Sequence, residues 1–223
     1  NTTDLMVEIN GIISSYVEIQ HTSLRVQEES RRFDISAIDF DLLRREFSRV
    51  KKKNLVLRDL EAAIQQKIND MLFVNPNRIN YYEHYQKIIE DYNSEQDRAK
   101  IEKTFVDLMN LANQMTQEEQ RYVREGFTSD EELSLYDMLF RDDLSKADIK
   151  KLKELAISLL QKIKTNIAEF DHWTDKQETK AAIDNLIRDT LWAELPECYD
   201  QVSIYSYRQQ IYEYVYTRYR AVA

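Results

Sequence analysis

The scarcity of glycine and proline constrains this chain more than any other feature of its sequence. Its 223 residues include two glycines, Gly11 and Gly126, and two prolines, Pro76 and Pro196. A sheet of many strands needs turn residues at roughly every eight to twelve positions, and this chain lacks them. A loop that binds nucleotide phosphates through backbone N–H groups needs several glycines close together, whereas these two lie far apart in sequence. The sequence therefore predicts an all-α protein without a phosphate-binding loop of its own.

Helical spacing recurs along most of the chain. Apolar residues repeat every three or four positions, as they do over Leu152, Leu155, Leu159 and Ile163. We expect about nine helices in a compact irregular bundle, with helix boundaries at Pro76 and Pro196 and a C-cap at Gly126. Six pairs have the spacing of a capping box, in which a hydroxyl residue precedes an acid or a glutamine by three positions: Ser36 with Asp39, Ser94 with Asp97, Thr116 with Glu119, Thr128 with Glu131, Ser145 with Asp148, and Thr174 with Gln177.

The composition changes near Asn75-Pro76-Asn77. The sequence before this point is rich in charge, and tyrosine becomes frequent after it. We therefore predict two domains, a looser helical extension over residues 1–74 and a C-terminal helical domain over residues 75–223. The helix-like opening at Asn1 is equally compatible with a complete chain and with an excised piece of a longer one.

Charge and cysteine content limit the class of protein further. The chain has 40 acidic and 31 basic residues and a net charge of -9, which argues against a general nucleic-acid coat protein but leaves local basic patches open. The single cysteine, Cys198, excludes an intrachain disulfide framework and is typical of a reducing compartment. No apolar run approaches the roughly 18 residues that span a bilayer. We expect a cytoplasmic protein without a membrane partner.

One lysine-rich helix is a candidate DNA contact. Lys146, Lys150, Lys153 and Lys164 fall on one side of the helix that opens at Ser145, as phosphate-tracking side chains would. A basic run over residues 44–58 is a second candidate. Neither set interleaves with aromatic residues, so any binding to double-stranded DNA should be independent of sequence. The alternative is that these lysines form an ordinary solvated face.

The last helix carries an unusually wide apolar and aromatic arc. A stripe over Ile204, Ile211, Val215 and Val222 is flanked by tyrosines on both sides. The resulting arc is wider than the roughly 100° that packs against a single core. Either this helix is central to its own domain, or its tyrosines meet another subunit. The residues proposed for such a partner interface are Tyr205, Tyr212, Tyr216 and Tyr219.

Short motifs that suggest chemistry are weak here. Two Glu-x-x-His pairs match the ligand spacing of di-metal bundles, but the sequence predicts a helix junction at His172, and such pairs also arise by chance. Two acid-x-Lys pairs suggest half of a nuclease site, yet both fall within helices. Cys198 has no histidine nearby in sequence to activate it. We predict no catalytic, cofactor-binding or metal-binding residue; the motifs weighed are Glu18-x-x-His21, Glu169-x-x-His172, Asp148-x-Lys150 and Glu178-x-Lys180.

Three stretches together resemble a known family. The first opens with Asn75-Pro76-Asn77-Arg78 and runs to Asn93; the second runs from Arg124 through Gly126 to Lys146; the third runs from Trp173 to Tyr199. Their order and spacing are similar to those in the C-terminal region of the motor and endonuclease (R) subunit of type I restriction enzymes. The resemblance covers about two thirds of the chain, from Asn75 onward.

The resemblance implies a role in a large assembly. It implies an ATP-dependent endonuclease that works with methyltransferase and specificity subunits, with ATP and Mg²⁺ used by upstream domains. This chain would then be a non-catalytic assembly domain that docks the motor subunit on the methyltransferase core, with possible non-specific DNA contact. The alternative is a free-standing helical scaffold or di-metal bundle protein unrelated to restriction.

Overall fold

The computed structural model describes residues 40–49, 53–94, 98–170 and 172–220, and within these ranges the chain is helical without a β-strand. The predicted all-α class is confirmed. The nine α-helices are α1 (Phe40–Arg49), α2 (Lys53–Val74), α3 (Ile79–Ser94), α4 (Arg98–Glu119), α5 (Arg121–Glu125), α6 (Asp130–Leu139), α7 (Lys146–Ala168), α8 (Gln177–Glu194) and α9 (Gln201–Tyr219), with a 3₁₀ turn over Pro76–Arg78 before α3.

Backbone proximity divides the chain into two compact units. The first comprises Asn1–Leu72 and Arg78–Gln120, and the second comprises Phe73–Asn77 and Arg121–Ala223. These units differ in membership from the domains 1–74 and 75–223 that composition suggested. Compactness does not test which stretches fold independently, so that domain boundary stays a prediction.

The first unit has its own apolar core. The long helices α2 and α4 supply most of it, and the ring of Phe47 stacks on that of Phe105 with centroids 3.7 Å apart. A buried ion pair joins Arg78 to Glu118 at 3.2 Å between Nε and Oε1, and it fixes the start of α3 against α4. Residues with almost no exposure are Leu57, Ile64, Ile68, Phe105, Leu108, Met109, Leu111, Ala112 and Met115.

The core of the second unit is built by four helices. Helix α7 packs against α6 and α8, and α9 packs against α8 and α6. The predicted spacing on α7 is confirmed, because Leu152, Leu155, Leu159 and Ile163 are all buried in this core. The other fully buried apolar residues are Leu133, Leu135, Leu139, Ala156, Trp173, Ile183, Ile187, Leu191, Ile211 and Val215.

The short segment Phe73–Asn77 is held within the second unit by polar contacts. The buried side chain of Asn75 donates from Nδ2 to Asp137 Oδ2 at 2.6 Å and accepts from the backbone N–H of Asn77 at 3.1 Å. The last carbonyls of α2 accept hydrogen bonds from α9, from the Tyr214 hydroxyl to Val74 at 3.1 Å and from the guanidinium of Arg218 to Phe73 at 3.3 Å. Side chains of α9 thus cap the C terminus of α2.

Three of the predicted helix ends are confirmed. Ser145 and Asp148 form a complete capping box at the start of α7. Gly126 ends α5 with φ 85°, and the N–H groups of Gly126 and Phe127 bond back to Val123 and Tyr122, the two bonds of a Schellman motif. Pro196 follows the last residues of α8, as expected of a residue that cannot continue a helix.

The other capping predictions either are wrong or fall at least partly outside the described residues. Thr116 lies inside α4, where its hydroxyl donates to the Ala112 carbonyl, so no helix starts there. The N-cap of α6 is Ser129 and not Thr128, because Ser129 Oγ accepts from Glu132 N. Helix α8 begins after Lys176, which has no side-chain cap, so the prediction at Thr174 is also wrong. The Ser36 pair lies outside the described residues, and the Ser94 pair extends beyond them.

Candidate functional site

Helix α9 positions the tyrosines that the sequence singled out. Asp200 opens the helix, because its Oδ1 accepts from the backbone N–H of Ser203 at 2.6 Å, and this hydrogen bond lowers the pKa of the carboxyl. Ile204, Ile211 and Val215 then turn one side of α9 into the core. The helix is therefore central to its unit, which is one of the two interpretations of its wide arc.

The four candidate interface tyrosines occupy different environments. Tyr219 is only 7% exposed and belongs to the core, whereas Tyr205 is 55% exposed. Tyr212 and Tyr216 lie between these extremes, packed on the core by one edge. The structure thus brings Tyr212 and Tyr216 together but does not place all four on one open surface. Their role in binding a partner stays a prediction.

Trp173 fixes the aromatic residues of α9. Its ring is fully buried and meets Tyr212 and Tyr216 edge-on, with centroids 6.4 and 5.8 Å away. Its Nε1–H donates to the carbonyl of Tyr219 at 3.1 Å, so it also caps the C terminus of α9. The sequence reasoning did not assign this residue a role beyond the family resemblance.

A row of side chains on one side of α9 is exposed at its N-terminal end and half-buried at Tyr212 and Tyr216. Val202, Tyr205, Gln209, Tyr212 and Tyr216 are separated by three, four, three and four residues, the spacing that places side chains on one helix face. We call this row the α9 strip. Val202 is 79% exposed, which is unusual for a β-branched apolar residue. The predicted interface contained only tyrosines and did not include Val202, although Val202 lies three residues before Tyr205 and so shares its helix face.

A groove runs between α8 and α9 beside the α9 strip. It has a volume of about 460 Å³ and is lined by Gln177, Lys180, Ala181, Asp184, Arg208, Gln209, Tyr212 and Tyr216. We call it the α8–α9 groove. Arg208 Nε lies 3.0 Å from Asp184 Oδ1, and although the contact lacks the alignment of a hydrogen bond, it neutralises both charges. The groove therefore combines aromatic edges with polar and charged groups.

The lysines of α7 separate into two kinds. Lys146 and Lys150 are exposed, and the ammonium of Lys150, whose side chain is 81% exposed, lies 3.9 Å from Glu154. Lys153 is instead held in place, because its Nζ donates to the carboxylate and to the backbone carbonyl of Glu125, each at 2.8 Å. Lys153 thus neutralises the C terminus of α5.

Lys164 belongs to a three-helix ion cluster. Glu131 of α6 bonds to Lys164 of α7 and to Arg218 of α9, the latter at 2.9 Å between Oε1 and Nε. Burial alone would raise the pKa of the Glu131 carboxyl, but the bonds to Lys164 and Arg218 outweigh it and lower that pKa. The stripe predicted from sequence is therefore not a row of four free cations, and its contact with DNA stays a prediction.

Burial also affects the ionisation of the tyrosines around this cluster. It raises the pKa of Tyr214 to about 12 and raises that of Tyr219 as well. Both phenols stay neutral across the physiological range. Within the second unit both rings are packed core residues, and the Tyr214 hydroxyl donates to the carbonyl of Val74.

Of the short chemical motifs, the pair Glu178-x-Lys180 lies on α8, where Lys180 lines the α8–α9 groove. Glu169 is the C-cap of α7 and His172 sits in a turn with φ 49°, so the second Glu-x-x-His pair does not share a helix face. The first pair, Glu18 and His21, lies outside the described residues. In the part of the chain that the structure describes, no group of three His, Cys, Asp or Glu side chains is placed to hold a metal ion. Cys198 is an exposed free thiol, and Asp148 is used as a helix cap.

No helix among the described residues has the length and apolar character needed to cross a membrane.

The family of the chain follows from a comparison with family models. The arrangement defines a helical region with a partly exposed aromatic face. The family described as "Type I restriction enzyme HindI endonuclease subunit-like, C-terminal" matches residues 7–211. The chain belongs to this family of C-terminal regions of type I restriction endonuclease subunits. No curated protein and no solved structure matches the chain.

This membership confirms the resemblance and extends it. The match begins at residue 7, far upstream of Asn75, so the N-terminal third of the chain is part of the same family region. It also excludes the alternative of a scaffold or di-metal bundle protein unrelated to restriction.

Proposed function

We propose that this chain is the assembly region of a type I restriction endonuclease subunit and docks that subunit on the methyltransferase and specificity subunits of the same system. The observation that carries the proposal is the α9 strip. It leaves Val202 and Tyr205 exposed on a helix whose opposite side is firmly built into the core. Exposed apolar and aromatic residues in one row are typical of a protein–protein interface.

The strip also has the rigidity that tight docking requires. Trp173 holds Tyr212 and Tyr216 from beneath, so their rings lose little freedom when a partner covers them. Tyr205 is supported by the guanidinium of Arg208, 5.9 Å from the ring centroid. A few such aromatic anchors supply most of the binding free energy in many interfaces.

Capture of the chain by the purified methyltransferase core tests this role. We expect Val202→Asp and Tyr205→Ala to weaken capture strongly, whereas the matched controls Gln210→Asp and Thr217→Ala, also exposed on α9 but off the strip, should bind as the wild type does. Deleting α9 would be a poor test, since Ile211, Val215 and Tyr219 are core residues and their loss would unfold the unit. Unchanged capture by both strip variants would overturn the assignment of this surface.

A weak DNA contact through Lys146 and Lys150 is the second part of the proposal. Both side chains are exposed on the first two turns of α7. Two phosphate contacts predict a slope of only about -2 in a plot of log affinity against log salt. Charge reversal at both positions should remove that binding in a fluorescence-anisotropy titration at low salt. Binding that survives the double reversal would assign the DNA contact elsewhere.

We assign no catalytic step to this chain and place the system's use of ATP and Mg²⁺ in other domains of the parent subunit. This region would serve in the cytoplasm, where the subunits of such a system meet DNA. The assignment is tested by incubating the purified chain with ATP, Mg²⁺ and duplex DNA. Hydrolysis of ATP or cleavage of DNA by this chain alone would contradict it.

A further inference from the structure

The α8–α9 groove has features that the docking proposal does not use. Lys180 lines it, and Arg220 lies at its edge, with the guanidinium 5.9 Å from the ring centroid of Tyr216. Neither cation has a carboxylate partner among the described residues, unlike most basic side chains of α7. The only acid lining the groove, Asp184, is already neutralised by Arg208. Lys180 in the groove and Arg220 beside Tyr216 therefore contribute positive charge that no carboxylate in the described part of the chain balances.

From this we infer that the α8–α9 groove receives an acidic amphipathic α-helix of the methyltransferase core, whose carboxylates pair with Lys180 and Arg220 while an apolar side chain packs against Tyr212 and Tyr216. The inference rests on the docking proposed above and specifies the chemistry of the partner. A groove between two packed helices fits the ridge of a third helix. Its volume of about 460 Å³ accommodates several side chains.

The same observations favour protein over nucleic acid as the occupant. A surface that stacks nucleic-acid bases needs exposed ring faces. Tyr212 and Tyr216 instead stack on each other with centroids 6.2 Å apart, and both rings contact Trp173. Arg220 covers a further part of Tyr216. The accessible part of the groove therefore consists of the edges of the tyrosine rings next to positively charged side chains.

Charge reversal separates this inference from the docking proposal. In capture experiments on the whole chain with the purified core and no DNA, Lys180→Glu and Arg220→Glu should each weaken affinity by about tenfold, and Lys180→Gln by less. The control Lys151→Glu, exposed on α7, should change nothing. Wild-type capture with no effect of either reversal would overturn the groove inference and leave docking intact, whereas no wild-type capture would overturn docking itself.

A crosslinking experiment identifies the occupant. A photoreactive residue at position 181, where Ala181 lines the groove, should crosslink to a peptide of the core that is rich in Asp and Glu. The same group at the exposed neighbour Ala182 should not give this product. A crosslinked peptide without acidic residues would contradict the inference. So would a loss of single- or double-stranded DNA binding in Lys180→Glu with unchanged core capture, because it would assign the groove to nucleic acid.

Discussion

The two halves of α9 differ in what they contact, although both are rich in tyrosine. In the C-terminal half Tyr214 and Tyr219 are buried, Arg218 pairs with Glu131, and Trp173 bonds to the last turn. In the N-terminal half Val202 and Tyr205 project into solvent. The C-terminal half is therefore enclosed by the fold, whereas the N-terminal half is anchored by Ile204 and leaves exposed the side chains at which we propose that a partner binds. Residue type alone therefore does not tell whether a tyrosine of α9 is buried in the core or exposed on the surface.

The largest expected effect comes from removing the anchor of the C-terminal half. Trp173→Ala deletes a fully buried ring together with the hydrogen bond to Tyr219, and we expect it to lower the free energy of unfolding by about 3–5 kcal/mol. Urea unfolding followed by far-UV circular dichroism measures the loss.

Trp173→Phe is the matched control, because it keeps an aromatic ring in the core while it loses the Nε1–H donor and part of the indole volume. It should lower the free energy of unfolding by less than Trp173→Ala does. Equal stability of the wild type and Trp173→Ala would show that this anchor does not secure α9.

The ion cluster at Glu131 should have the next largest effect. Glu131→Gln leaves Lys164 and Arg218 without their carboxylate, and we expect a loss of about 1–2 kcal/mol at pH 7. Because the pKa of Glu131 is lowered in the folded state, its contribution is complete above the usual value of 4.5 and is lost as the pH falls through the folded-state pKa.

The pH dependence supplies the control for this prediction. The difference in unfolding free energy between the wild type and Glu131→Gln should be constant near neutral pH and shrink below about pH 4. A difference that persists unchanged at pH 3 would mean that the ionised carboxylate is not what stabilises the cluster.

A smaller effect is expected from the lysines of α7, which repeat the contrast seen on α9. Lys153→Ala removes the cation that caps α5 and should cost about 1 kcal/mol, while Lys150→Ala should stay within about 0.5 kcal/mol of the wild type. Thermal unfolding of the two variants side by side measures this difference. Equal stability would remove the distinction between a structural and a free lysine.

The smallest effect on stability is expected in the exposed half of α9. Val202→Asp and Tyr205→Ala should each change the free energy of unfolding by less than about 0.5–1 kcal/mol, because neither residue is buried and an acid is tolerated in the first turn of a helix. The same variants should show the greatest loss of capture by the methyltransferase core. A large loss of stability would mean that this half also belongs to the fold.

Local signals in the sequence predicted the helices better than they predicted the role of side chains. The capping box at Ser145 and the C-cap at Gly126 were correctly placed because both depend on contacts within one turn. Thr116 and Thr174 satisfied the same local pattern and were wrong, since the packing of α4 and the turn before α8 determine where those helices begin. A cap pattern favours a helix start, but it is neither sufficient, as Thr116 shows, nor required, since α8 begins without a side-chain cap.

Only part of the candidate site could be predicted, because burial and ion pairing depend on contacts between helices. The spacing on α9 gave the aromatic face, yet the burial of Tyr219 depends on α6 and α7, which are distant in sequence. The spacing on α7 gave a row of lysines, yet Glu125 and Glu131, which hold two of them, lie on the two preceding helices, α5 and α6. Only the tertiary contacts distinguish the free members of each row.

By itself, the sequence determined the helical class, most helix faces and the family resemblance, because two glycines, two prolines and a repeated three-to-four spacing act through local geometry. The tertiary structure decided which tyrosines and lysines are exposed, how Trp173 fixes α9, and where the α8–α9 groove lies. Those properties depend on which residues from distant parts of the chain become neighbours, and helical spacing does not specify contacts between different helices.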